Sequence, residues 1–143
     1  MSLLATELFG IVTAACRGCV WDALTTTGTK VPHLYGLMVD SEWRPGSTVT
    51  AGMLRGPQLT GQVLRADPAA LLSYTLGDTV DEPAVYITWE IGVDPAGTFV
   101  RLFIDQPDPP DPRETEAVWL PMLAALERRL QGCCTDHGST HSA

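Results

Sequence analysis

AVYITWEIGVDPAGTFVRLFID, residues 84–105, settles the architecture. Val85, Ile87, Trp89 and Ile91 occupy alternate positions, with Tyr86, Thr88 and Glu90 between them. Successive side chains in a strand point to opposite faces, so the first set lies on one face of a sheet and the second on the other. After Asp94-Pro95-Ala96-Gly97 the alternation resumes, with Val100, Leu102 and Ile104 as the apolar set and Arg101 opposite. A turn this short joins only antiparallel neighbours. The stretch therefore reads as a hairpin of strands Ala84 to Val93 and Thr98 to Asp105, buried on one face.

Toward the N-terminus the same punctuation repeats. Strands over Thr48 to Leu54, Leu59 to Ala66 and Leu71 to Leu76 end at Arg55-Gly56-Pro57, Asp67-Pro68 and Gly77-Asp78. Gly and Pro supply the backbone angles that such turns need. The result is an antiparallel meander, preceded by turn chemistry at Ser41-Glu42-Trp43-Arg44-Pro45-Gly46. Before it come a strand over Leu4 to Thr13, a short helix over Arg17 to Leu24 and a second short helix around Lys30 to Tyr35. The first helix carries Val20, Trp21 and Leu24 at helical spacing.

Toward the C-terminus, Pro107, Pro109, Pro110 and Pro112 stop the sheet. From Arg113 to Gln131, Trp119, Met122, Leu123, Leu126 and Leu130 make one apolar stripe along a helix. Gly132 is a stop signal, and Cys133 to Ala143 reads as a frayed polar tail. One apolar sheet face needs one apolar partner, and the long helix is the element large enough to be it. The expectation is an α+β protein: a single domain over 1–132 and a flexible tail over 133–143.

Composition excludes some functions. The chain has 143 residues, 45% of them hydrophobic, with 17 Asp and Glu against 9 Lys and Arg and a formal net charge of -8. The length suits one domain with a core that needs no disulfide. The cations are scattered, so the basic stripe by which proteins displace counterions from nucleic acid is missing. Anionic membranes are equally poor partners. No apolar run is long enough to span a bilayer. Leu3 to Ala15 reads as a strand rather than a leader, because no Lys or Arg precedes it and Glu7 interrupts it. A cytoplasmic protein with its four cysteines reduced is expected.

The layout resembles the helix-grip fold of the START-like superfamily, also called SRPBCC or Bet v-type: a curved antiparallel sheet wrapped around a C-terminal helix. Local motifs resemble the branch of heat-shock protein ATPase activator homologues. They are Val20-Trp21-Asp22-Ala23-Leu24-Thr25 in the first helix and the Trp43-Arg44-Pro45-Gly46 turn, then Gly61-Gln62-Val63, Asp67-Pro68 and Leu72-Ser73-Tyr74-Thr75. Gly97-Thr98-Phe99-Val100-Arg101-Leu102, and Trp119 with Leu123, complete the series. Many relatives carry a polar residue where this chain has Ile104. The resemblance implies a cavity between sheet and helix, and it leaves the ligand open, because the superfamily includes lipid carriers, cyclases, receptors and co-chaperone domains.

Chemistry-bearing clusters are few. Cys16-Arg17-Gly18-Cys19 opens a helix, where a thiolate is favoured, but the meander is not the βαβ setting of a redox motif. Cys133, Cys134, His137 and His141 form a nominal zinc set in the tail. Asp40, Glu42 and His33 fall near the expected pocket mouth and read as solvated loop residues, while Glu90 and Asp105 alternate away from the apolar face. No nucleophile elbow, phosphate loop or dinucleotide fingerprint is present. No catalytic residue, metal or cofactor is therefore assigned.

The favoured expectation is a pocket for a small, largely apolar or aromatic ligand. Its walls would be Tyr74, Leu76, Ile87, Trp89, Val100, Leu102, Trp119, Met122 and Leu126. A cyclase-like or hydrolase-like enzyme, and a co-chaperone or regulatory interaction domain, are the alternatives. The protein is expected as a monomer or homodimer.

Overall fold

The computed structural model describes residues 5–25, 30–31, 37–52, 58–79, 82–106 and 112–141. Strand β1 (Ala5–Thr13) leads into helix α1 (Arg17–Leu24), the short β2 (Lys30–Val31) and β3 (Leu37–Asp40). Then come β4 (Thr48–Gly52), β5 (Gln58–Asp67), β6 (Leu71–Thr79), β7 (Glu82–Asp94) and β8 (Gly97–Gln106), followed by helix α2 (Pro112–His141). The strands form one eight-stranded sheet in the order β1-β8-β7-β6-β5-β4-β3-β2. Every adjacent pair is antiparallel. The meander is as the turns require, and the first strand closes against the last.

Register turns sequence alternation into a continuous apolar surface. Phe9 pairs with Leu102, Leu102 with Trp89 and Trp89 with Leu72, giving one row across β1, β8, β7 and β6. The next row runs Ile104, Ile87, Tyr74 and Val63. All of these are buried, and they share one core with the α2 stripe of Trp119, Met122, Leu123, Leu126 and Leu130. From α1, Cys19, Val20, Ala23 and Leu24 join the same core. Helix α2 packs against β1 and α1.

Irregularities shape the sheet. The β5–β6 register shifts between Val63 and Arg65, and the β6–β7 register shifts around Gly77. Such bulges bend a strand and increase its twist. Gly61 is required where β5 passes β6, because a Cβ there would lie 1.7 Å from the Thr75 carbonyl oxygen. At the β7–β8 turn, the Thr98 hydroxyl donates to the Ala15 carbonyl at 2.6 Å and ties the start of α1 to the sheet.

Two expectations change, and one strand is added. The second short helix over Lys30 to Tyr35 is not formed at its start: Lys30 and Val31 pair with Met38 and Leu37 as a strand, and residues 32–35 lie outside the described residues. Edge pairing satisfies backbone groups that a two-residue fragment of helix would leave open. Strand β3 itself had no alternation to announce it. Finally, α2 does not stop at Gly132 but continues through the expected tail to His141. One interior glycine costs a helix only about 1 kcal/mol relative to alanine, too little to force an end.

Candidate functional site

The turn before β4 is built on two serines. Ser41 Oγ accepts the Trp43 backbone N–H at 3.0 Å, and Ser47 Oγ accepts the Arg44 N–H at 3.1 Å while donating to the Arg44 carbonyl at 2.7 Å. The two hydroxyl oxygens are 3.4 Å apart. The Gly46 N–H donates to the Val63 carbonyl at 2.8 Å, and the Val63 N–H to the Ser47 carbonyl at 2.9 Å, which fastens the turn to β5. Held in this way, Gly46 adopts φ 88° and Trp43 φ 55°. The first is free for glycine; the second is an unfavourable angle for a bulky side chain.

That angle delivers the Trp43 ring to the core. Its centroid lies 5.6 Å from that of Tyr74, with the planes at 67° in an edge-to-face contact. Tyr74 Oη in turn accepts from Trp89 Nε1 at 3.3 Å. Burial pushes the Tyr74 phenol up to about 12, and the Trp89 hydrogen bond only partly opposes this. Tyr74 is thus a neutral phenol across the physiological range. The Trp43 residue as a whole is half-buried, but its Nε1 is fully buried and has no hydrogen-bond partner among the described residues.

Of the residues named from the sequence, Tyr74, Ile87, Trp89, Val100, Leu102, Trp119, Met122 and Leu126 all lie in the single core, and Leu76 packs against it half-buried. Trp43 was legible as a turn residue and not as a buried donor. Alternation and stripe counting have nothing to say about a side chain carried in by a turn.

The polar candidates lie elsewhere. Asp40 and Glu42, with Ser41, Gly46, Ser47, Thr48 and Thr50, line an open groove of about 600 Å³. Thr48 and Thr50 alternate with the buried Val49 and Ala51, so this groove is on the other side of β4 from the core. Glu90 pairs with Arg101 at 3.0 Å, and Asp105 accepts from the Thr6 hydroxyl. The buried polar residues among those described are Thr13, Thr75 and Thr98. No acid–base pair therefore faces the core among the described residues. Cys16 is exposed and Cys19 buried. His33 and the side chains of Cys133, Cys134, His137 and His141 lie outside the described residues, and no described cluster has the composition of a metal site. No helix among the described residues is long and apolar enough to cross a membrane.

No family model and no curated protein matches the sequence. Solved structures do. The chain is similar to protein MLL2253 from Mesorhizobium loti at 23% identity and a TM-score of 0.71, covering 89% of this chain and 97% of that one. It is similar to the Aha1 dimer from Colwellia psychrerythraea at 17% identity and 0.71, covering 88% and 96%. It is also similar to the AHSA1-like protein from Aeromonas hydrophila at 16% identity and 0.69, covering 90% and 94%. At such identities the likeness concerns the fold: the chain shares the START-like fold of AHSA1-like proteins, as its motifs implied.

Proposed function

We propose that residues 1–132 form a cytoplasmic helix-grip domain that binds a small, largely apolar ligand between the inner sheet face and α2. Tyr74, Leu76, Ile87, Trp89, Val100, Leu102, Trp119, Met122 and Leu126 would be its walls. The observation that carries this is the aromatic cluster of Trp43, Tyr74 and Trp89, three largely apolar rings whose few polar atoms include a Trp89–Tyr74 hydrogen bond. Pockets for small molecules have this make-up, mostly apolar walls with a small number of placed polar groups. Met122 adds an adaptable wall.

The test fills the space. Leu102→Trp should keep a cooperative melt and a native circular dichroism spectrum yet lose binding of a neutral naphthalene dye. Leu126→Phe serves as a milder filling should the first fail to fold. Folded variants that bind the dye as the wild type does would sink the proposal.

Self-association is a second reading, favoured by the outer face of β1. Leu8 and Val12 are 57% and 46% exposed there and pair with Phe103 and Phe99. The similar Colwellia protein is a dimer. Sedimentation of wild type against Leu8→Lys tests it, and a wild type that stays monomeric at high concentration removes it.

A further inference from the structure

We propose that Trp43 and Tyr74 form a recognition site for a hydrogen-bond acceptor, the carbonyl oxygen of a ketone, quinone or ester carried by an otherwise apolar ligand. This rests on the pocket proposed above. Trp43 Nε1 is a buried donor with no partner among the described residues. The indole nitrogen can only donate, and a buried donor left unpaired costs about 1–3 kcal/mol. Nothing in the core demands an indole: phenylalanine would keep the edge contact with Tyr74 without the penalty. Nor does the contact itself answer it, because an N–H against a ring face is a weak interaction that a carbonyl oxygen outcompetes.

Tyr74 supplies the second donor. Its Oη already accepts from Trp89, so the phenol hydrogen is left to give, and no acceptor for it stands among the described residues. Two touching rings thus each hold one N–H or O–H with no acceptor among the described residues, and Tyr74 Oη already accepts from Trp89, which leaves little to favour a ligand hydroxyl or amine. The site prefers acceptors to donors. It also prefers a neutral acceptor to a carboxylate. Among the described residues no Lys or Arg is buried, and an ion desolvated without a countercharge is strongly disfavoured. The serine-locked turn suits this role, because it sets the Trp43 ring in one place before a ligand arrives.

The experiment uses propionyl-dimethylaminonaphthalene, whose emission reports hydrogen bonding to its ketone, and two analogues with the ketone reduced to an alcohol or to a methylene. The wild type should bind the ketone about tenfold more tightly than the methylene analogue, with the alcohol weaker than the ketone. Trp43→Phe should remove most of that preference, leave the methylene analogue's Kd in place and shift the bound ketone's emission to shorter wavelength. Tyr74→Phe should remove part of the preference as well. Equal binding of ketone and methylene probes to the wild type would overturn this proposal while leaving the pocket standing. An unchanged preference in Trp43→Phe would do the same. Failure of all three probes to bind would overturn the pocket, and this proposal with it.

Discussion

Trp89 Nε1 donates to Tyr74 Oη at 3.3 Å, joining β7 to β6 on the buried face of the sheet. Burial nonetheless raises the phenol from its ordinary 10.0 to about 12. In the unfolded chain Tyr74 loses its proton near pH 10, and in the folded chain only near 12. Its neutral form therefore stabilises the fold fully below pH 10, and that contribution is lost as pH rises toward 12. The amount is about 2–3 kcal/mol. Denaturant melts from pH 9 to 12 should show the wild type losing stability more steeply than Tyr74→Phe by roughly that amount. Parallel pH curves for the two proteins would contradict it.

The glycines divide by what a methyl group would meet. At Gly61 it would overlap the Thr75 carbonyl, and backbone of the neighbouring strand cannot step aside. Gly61→Ala should cost about 2–4 kcal/mol. Gly18 lies within α1 with nothing near its Cβ position, so Gly18→Ala should stabilise by about 0.5–1 kcal/mol. Thermal melts of the two variants should move in opposite directions.

These contrasts mark what was legible in the sequence. The β7–β8 hairpin and the α2 stripe could be read because their burial follows a period, two for Ile87 and Trp89, about 3.6 for Trp119 and Leu126. Strand β3 could not, since Leu37 to Val39 is a short apolar run with no alternation. Lys30 and Val31 are strand only because β3 is there to pair with them. At the candidate site, the wall residues share that legibility. The state of Trp43 Nε1 does not, because it depends on a turn angle fixed by Ser41 and Ser47 hydroxyls.

Ser47 is the hinge pin of that turn. Its hydroxyl accepts from one group of Arg44 and donates to another, and its carbonyl takes the Val63 N–H. Ser47→Ala keeps the carbonyl and removes the hydroxyl's two bonds to Arg44 together with its contact to the Ser41 hydroxyl. Loss of about 1–2 kcal/mol is expected, at the upper end for exchange of a capping hydroxyl. Near-ultraviolet circular dichroism should lose part of its tryptophan signal as the Trp43 ring loosens from Tyr74. A full signal in a destabilised Ser47→Ala would mean that the ring is held by its packing alone.

Trp43 itself permits a sharper test, because its backbone and its ring act in opposite senses. At φ 55° any residue with a Cβ carries a conformational cost, of order 1 kcal/mol, that glycine escapes. The ring offsets this through its contact with Tyr74 and its partial burial in the core. Trp43→Ala loses the ring and keeps the cost; Trp43→Gly loses both. At an ordinary position alanine is the more stable of the two by about 0.5–1 kcal/mol. Here the left-handed cost cancels or exceeds that advantage, so Trp43→Gly should be the more stable of the two by up to about 0.5 kcal/mol, although both fall below wild type. Urea melts of the three proteins decide it. If alanine is the better replacement, the left-handed angle does not persist without the indole, and the turn is shaped by the ring rather than by its serines. If glycine is better, the turn holds its form independently, and the indole donor is displayed by a frame already in place.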